Sequence, residues 1–208
     1  MPRPRDLVPS DVFINIPFDR KYEDIFLALI SGLVGLGLNP RCVLEVPPST
    51  DRLRRLYDII SACPFSLHDL SRVQASRSGS FRVPRFNMPF ELGLAAAVSL
   101  HHSDAGYQWR ILERVTHRLT QSLSDVAGYD PSIYGGTVKG TLEVLLDIFD
   151  NLRKPPLKEV DDLLWVYRRV RRFRGTQPAN VYRSNSYRRL VLAARGLVLK
   201  RAEAIARL

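Results

Sequence analysis

The fold is decided by a short, almost wholly apolar run, Val12-Phe13-Ile14-Asn15-Ile16, which ends at Pro17. Such a run is typical of a central parallel β-strand that is buried on both faces. Between Tyr22 and Leu33 the apolar residues then recur every three or four positions, which predicts a helix ending near Gly37. A buried strand followed directly by a helix is the first unit of a parallel sheet with helical crossovers.

The alternation of strand and helix signals continues to residue 152. Repeated units of this kind, with apolar strands, predict an α/β fold: a flavodoxin-like (TIR-like) parallel sheet with helices on both faces and a helical C-terminal extension. Residues 71–86 show no periodicity and are predicted to be a mobile surface loop. The further strands are predicted at 42–46, 64–70, 107–112 and around 123–127, and the helices at 49–60, 90–100 and 137–152.

Charge divides the chain into two parts. The 208 residues carry a net charge of +10. Residues 151–208 contain 15 Lys and Arg but only four Asp and Glu. Residues 1–150 contain 16 Lys and Arg and 17 Asp and Glu, so they are nearly neutral. Two apolar stripes, at 160–173 and 190–205, predict amphipathic helices that must be buried on the body, on each other or on another chain. We therefore expect an N-terminal arm (1–10), an α/β domain (11–153) and a basic helical extension (154–208).

Composition also bears on location and on metal binding. The longest apolar run, residues 25–38, is shorter than the ~20 residues that a membrane-spanning helix needs. The N-terminal residues have no apolar segment typical of a signal peptide, so a cytoplasmic location is expected. Cys42 and Cys63 lack the spacing of a metal or redox motif, and neither a zinc site nor a disulfide is predicted.

A second informative stretch is Asn87-Met88-Pro89-Phe90-Glu91-Leu92-Gly93. Asn87 is a good N-cap and Pro89 is tolerated in a first helical turn, so the stretch predicts a helix start. Glu91 is then expected in the first turn. A carboxylate there can simply complement the helix dipole, a contribution of about 0.3–1 kcal/mol.

Other acidic residues follow the predicted strands. Asp19 comes after the first strand, and Glu45 and Asp69 close the second and third. Ligands of open parallel sheets bind outside the carboxyl ends of the strands, where the strand order reverses. With Glu91, four carboxylates are expected at one edge of the sheet. Because like charges repel, a folded domain has no structural need for such a cluster, and it indicates a functional site.

Four segments combine a strand end or helix start with an acidic residue: residues 13–19 (FINIPFD), 40–45 (PRCVLE), 68–72 (HDLSR) and 85–93 (RFNMPFELG). They resemble a group of small bacterial TIR-like proteins, which is similar to the nucleoside 2-deoxyribosyltransferases and the TIR-domain NAD glycohydrolases. The resemblance covers about residues 11–150. It differs from the transferase pattern in having Asn-Met-Pro where small residues admit the nucleoside.

The resemblance implies an N-glycosidase that cleaves the base–ribose bond of NAD or a related nucleotide or nucleoside, in bacterial defence or signalling. NAD would be a substrate, with no cofactor and no metal. Glu91 would work at the anomeric carbon, with Asp69 as a second catalytic acid. The substrate contacts would come from Pro17, Phe18, Asp19, Tyr22, Glu45, Ser71, Arg72, Arg85 and Asn87.

The residues suit this chemistry. Cleavage of an N-glycosidic bond passes through an oxocarbenium-like state, which a carboxylate at the sugar stabilises. Glu91 can supply that carboxylate, and Asp69 can orient it or the ribose hydroxyls. The phosphates of a nucleotide need donors, for which Arg20, Arg72 and Arg85 are the nearest candidates.

Two other functions are compatible with the same residues. The acids suit a magnesium-dependent phosphoryl-transfer enzyme or nuclease, because Mg²⁺ prefers oxygen ligands. A TIR-like binding or assembly module without enzymatic activity is the second. A homo-oligomer is expected in either case, and residues 154–208 are candidates for contact with an acidic partner or nucleic acid. No membrane contact is expected.

Overall fold

We describe the chain from a computed structural model. The structure describes residues 11–46, 50–73, 76–78, 81–101, 106–117, 123–126, 128–177 and 180–207. Its strands are β1 (Asp11–Asn15), β2 (Asn39–Arg41), β3 (Phe65–Asp69), β4 (Ser76–Ser78), β5 (Phe81–Val83), β6 (Gln108–Glu113) and β7 (Ser132–Ile133). Its α-helices are α1 (Glu23–Gly35), α2 (Arg52–Ala62), α3 (Asn87–His101), α4 (Val138–Ile148), α5 (Val160–Gly175) and α6 (Ser184–Ile205).

The main sheet has five parallel strands in the order β2-β1-β3-β6-β7. Val12 of β1 lies opposite Phe65 of β3, and Phe65 lies opposite Gln108 of β6. The chain first moves outward from β1 to β2 and then returns past β1 to β3. The strand order therefore reverses between β1 and β3, and the predicted flavodoxin-like architecture is confirmed.

Helices cover both faces of this sheet. Alternate side chains of a strand point to opposite faces. Ile14 belongs to a core formed with α1, α4, α5 and α6, whereas its neighbour Phe13 belongs to a core formed with α2 and α3. Among the helices that the structure describes, none combines the length and apolar character that a membrane span requires.

The predicted second strand, 42–46, is wrong. Residues Asn39–Arg41 pair with β1, and Val43–Glu45 form a 3₁₀ helix. The reason is a local cap: the Glu45 carboxylate accepts a hydrogen bond from the Cys42 N–H at 3.1 Å and turns the chain out of the sheet. The apolar residues that suggested a strand, Val43 and Val46, are buried against α2 and α3 instead.

Two other predictions also need correction. The fifth strand was expected around residues 123–127, but Ser124–Val126 form a 3₁₀ helix and the fifth strand of the sheet is β7. Residue 127 lies outside the described residues. Residues 71–86 were expected to be a loop, yet they contain β4 and β5, which pair antiparallel. The alternation of polar and apolar residues is too short there to signal a strand.

The two C-terminal helices, α5 and α6, confirm the helices predicted from the apolar stripes. They pack on each other and on α1, and Leu163, Val166 and Val198 belong to the same buried core as Ile14. The backbone N–H of Leu157 also donates to the carbonyl of Gly35 at 3.0 Å. Residues beyond 153 therefore contribute to the main core, and the division of the chain into domains at this residue stays a prediction.

Gly35 allows α5 to approach α1 closely. A Cβ at this position would lie 2.3 Å from Cδ2 of Leu163, which is fully buried. We predict that Gly35→Ala lowers the free energy of unfolding by about 1–3 kcal/mol, because the core must shift to admit the methyl group. Urea denaturation measures this change.

Gly93→Ala in α3 is the matched control, since a Cβ there meets nothing within 4 Å. Replacing this exposed helical glycine should raise stability by up to about 1 kcal/mol. Equal stability changes for the two variants would contradict the packing of α5 on α1.

Candidate functional site

The candidate site lies at the carboxyl ends of β1 and β3, where the strand order reverses. After β1 the chain continues through Pro17 and Asp19 into α1, and β3 ends at Asp69. Beneath this edge, Asn15 Nδ2 donates to the Met88 carbonyl oxygen at 2.8 Å. This bond ties the end of β1 to the first turn of α3 and so positions the helix that carries Glu91.

Asp69 is a fully buried carboxyl group. Its Oδ2 accepts a hydrogen bond from the Tyr22 hydroxyl, and its Oδ1 accepts one from the Ser71 N–H at 2.7 Å. The Tyr134 hydroxyl donates to Ser71 Oγ at 3.0 Å. Burial raises the pKa of Asp69 although these hydrogen bonds lower it, and burial beside Asp69 raises the pKa of Tyr22 well above its usual value. Asp69 is thus held in one orientation by two donors.

Asp19 forms a second cluster with two arginines. Its Oδ2 lies 2.7 Å from Arg72 Nε and 3.0 Å from Arg85 Nη1. These are ion pairs without hydrogen-bond geometry, and within the described residues Asp19 Oδ1, Oδ2 and Arg72 Nε are buried with no hydrogen-bond partner. The Tyr182 hydroxyl donates to the Asp19 carbonyl oxygen at 2.7 Å, and its ring lies 5.2 Å from that of Phe18. The Asp19 carboxylate is therefore neutralised by the two arginines, while its hydrogen-bonding capacity is unused among the described residues.

Glu91 occupies the second turn of α3, not the first turn as predicted. The helix already begins at Asn87, and the Phe90 N–H donates to the Phe86 carbonyl oxygen at 2.9 Å. Because the dipole effect falls off within the first turn, complementing the helix dipole does not explain Glu91. The side chain is 8% exposed, and burial raises its pKa to about 7, partly opposed by Arg52. Glu91 accepts no hydrogen bond from any described residue.

The other predicted substrate residues differ in their surroundings. Pro17 is buried and Asn87 is exposed at the start of α3. Both oxygens of Glu45 lie 3.0 Å from Arg41 Nε, and Oε1 also accepts the Cys42 N–H. The Glu45 carboxylate is therefore used within its own turn. Its predicted contact with substrate stays a prediction.

A cavity of about 190 Å³ adjoins the ends of β3 and β6. Its walls include Leu70, Phe86 and Pro89, and its polar groups are Arg85 and Glu113. Arg85 also pairs with Asp19, so the cavity borders the Asp19 cluster. A volume of this size with apolar walls and two charged groups suits a small planar group such as a nucleobase.

Glu91 and this cavity lie on different sides of α3. Pro89 lines the cavity, and successive helical residues are separated by about 100°. Glu91, two positions further on, is therefore rotated by about 200° and interacts with Arg52 at the start of α2. Asp19, Asp69 and Glu91 share one edge of the sheet, but each has different partners. Their meeting in a single concavity stays a prediction.

Sequence reasoning missed two residues of this edge. Glu113 ends β6, is 1% exposed, and its Oε1 accepts the Arg114 N–H at 2.5 Å. Tyr134 follows β7 and bonds to Ser71. The rule that selected Asp69 from its strand end applies equally to Glu113, which lies one residue beyond the predicted strand 107–112. Tyr134 gave no such signal, because β7 has only two residues.

The described residues contain no group of three or more His, Cys, Asp or Glu side chains placed to hold a metal ion. Cys42 and Cys63 are free and buried, and burial raises the pKa of each thiol to about 12. No protein-family model matches the chain. No curated protein matches it significantly.

The burial of Glu91 predicts a pH-dependent stability difference. Its pKa is about 7 in the folded state against 4.5 for a free glutamate, so ionisation opposes folding. Stability is therefore lost as pH rises from about 4.5 through 7, a loss of about 3 kcal/mol. The glutamine side chain of Glu91→Gln cannot ionise, so the variant does not lose this stability as pH rises. We predict that the variant is more stable than the wild type at pH 8.5, with a much smaller difference at pH 4.5.

Urea denaturation of both proteins at the two pH values measures this difference. Glu143→Gln on α4 is the control, because its side chain is 49% exposed and solvent screens its charge. A Glu91→Gln protein that is less stable than the wild type at pH 8.5 would contradict the assigned environment.

Proposed function

We propose that the protein is an N-glycosidase that cleaves the base–ribose bond of NAD or a related nucleotide or nucleoside. The observation that carries the proposal is the environment of Glu91: a buried carboxyl with a pKa of about 7, without a hydrogen-bond donor among the described residues. A carboxyl group that is costly to ionise, and that accepts no hydrogen bond from the described residues around it, is typical of a catalytic acid or base.

The proposed reaction breaks the bond between C1′ of the sugar and the base nitrogen. The electron pair of this bond leaves with the base, and positive charge develops on the sugar ring. The ionised Glu91 carboxylate stabilises that charge, and its poor solvation strengthens the interaction. Water then forms the new C1′–O bond and loses a proton. At neutral pH, Glu91 is poised between its charged and neutral forms.

The two other acidic residues have supporting roles in this proposal. Asp69 is fully buried and bonded to Tyr22 and Ser71, so its proposed role is to hold these two groups in position at the edge of the site. Asp19 holds Arg72 and Arg85 beside a small apolar cavity. Arginines are suited to phosphate because their planar donors match its oxygens.

The geometry gives less support to a magnesium-dependent phosphoryl-transfer enzyme or nuclease. Such a site needs several oxygen ligands around one ion. In the part of the chain that the structure describes, Asp19 forms an ion pair with Arg72 and Glu45 forms one with Arg41. Asp69 accepts hydrogen bonds from the Tyr22 hydroxyl and the Ser71 N–H. A TIR-like binding or assembly module without activity stays the alternative. It predicts no released base from any nucleotide.

The first test is incubation of the protein with NAD and a panel of nucleotides and nucleosides, with chromatographic detection of released base. With the cleaved compound in hand, we predict that Glu91→Gln retains substrate binding and loses turnover by on the order of a hundredfold or more. The variant keeps the shape of the side chain and removes its charge, and one key electrostatic group has an effect of this size. Comparison of kcat and Kd for the two proteins measures it.

Glu143→Gln, an exposed change of the same chemistry, should leave turnover unchanged. If Glu91→Gln turned over substrate at the wild-type rate, Glu91 would have no role at the sugar.

A further inference from the structure

We propose that the surface formed by the start of α1, the C-terminal half of α5, Gln177 and the start of α6 binds the phosphodiester backbone of nucleic acid. This surface consists of two arginine-lined clefts, each with one arginine that donates a hydrogen bond to Gln177, and we call it the basic face. The proposal is independent of the glycosidase activity, because it uses neither Glu91 and Asp69 nor the cluster of Asp19, Arg72 and Arg85. Arg20, a candidate phosphate donor from the sequence, lines the first cleft of the basic face instead.

The first cleft has a volume of about 820 Å³ and lies between the start of α1 and the C-terminal half of α5. Two of its arginines are neutralised: Arg171 Nε lies 2.9 Å from Asp24 Oδ1, and Arg174 Nε lies 2.9 Å from Glu23 Oε1. Its other cationic residues have no ion-pair partner among the described residues; they are Arg20, Arg168 and Arg172. The cleft therefore keeps an excess of positive charge.

The second cleft, of about 630 Å³, surrounds the start of α6. Arg183, Arg188 and Arg189 line it, and all three are exposed. The two clefts are connected through one residue. Arg174 Nη1 donates to the Gln177 carbonyl oxygen at 2.8 Å, and Arg189 Nη1 donates to Gln177 Oε1 at 3.1 Å. A ligand can thus contact cations of both clefts along one surface.

The lining identifies phosphate as the group that is recognised. A site for a single nucleotide normally offers an apolar or aromatic wall to the base. In the first cleft, the aromatic residue is Tyr167, which is buried with its hydroxyl bonded to Asp24 at 2.9 Å. Among the described residues that line the second cleft, the large apolar residue is Leu192 and the others are polar.

The distribution of charge favours a polymer over a small anion. Exposed arginines recur over both clefts, and residues 151–208 hold about half of the Lys and Arg of the chain. A nucleic acid presents phosphates at regular intervals, and arginines that neutralise them release counterions. Contacts of this kind position the backbone without reading sequence.

Fluorescence anisotropy with a fluorescein-labelled 20-base-pair DNA duplex tests the proposal. We predict a Kd of about 1–100 μM near physiological salt. The affinity should fall as the salt concentration rises. Arg168→Gln together with Arg172→Gln should weaken binding. This double variant should also reduce the magnitude of the slope of log K against log salt concentration by about 2, because each phosphate contact contributes about 0.9 to that slope. Arg183→Gln together with Arg188→Gln, in the second cleft, should weaken binding and reduce the slope by the same amount.

The matched control is Arg54→Gln together with Arg55→Gln on α2, which removes the same charge from exposed positions on the other face of the sheet. It should leave the slope unchanged, and Glu91→Gln should bind the duplex as the wild type does. If the control lost as much duplex affinity as the variants of the basic face, the effect would come from net charge alone, and the proposal would be overturned. So would the absence of duplex binding, or binding of tripolyphosphate at these arginines without binding of duplex.

Discussion

The structure depends on the burial of α1 on all sides. Eleven of its residues, from Ile25 to Gly35, are buried, so the helix has almost no polar face to present to water. Such a helix is stable only when other elements surround it. The sheet covers one side, α4 and α5 approach at Gly32 and Gly35, and α6 completes the enclosure. The basic C-terminal helices are therefore part of the main core, whatever else their exposed faces do.

Packing on both faces of the sheet determines the environment of the candidate site. Tyr182, just before α6, packs on Phe26 of α1 and on Phe18, and its hydroxyl holds the backbone of Asp19. On the other side of the sheet, α3 brings Glu91 into an apolar setting beside Leu92. Water is thereby largely excluded from the Glu91 carboxyl group, whose charged form would be more stable in contact with it. Such groups raise the energy of the folded state and are typical of functional sites.

The sequence predicted the elements whose signal is local. The apolar runs of β1, β3 and β6 and the periodic stripes of α1, α5 and α6 depend on burial alone, and all were found. The second strand was misplaced because Val43 and Val46 are buried without belonging to a strand, after the Glu45 carboxylate has turned the chain. For the candidate site, the strand ends predicted the positions of Asp19 and Asp69 at the carboxyl edge of the sheet, where the structure has them. The partners of each acid depend on tertiary packing, and no spacing in the sequence reveals that Glu91 approaches Arg52.

The central claim is that the fold places an ionisable Glu91 where its charge is poorly solvated. A ¹³C NMR titration of the glutamate side-chain carboxyl carbons tests this directly, with Glu91→Gln used to assign the resonance. We predict a midpoint near 7 for Glu91. A midpoint near 4.5, the value of a free glutamate, would contradict it.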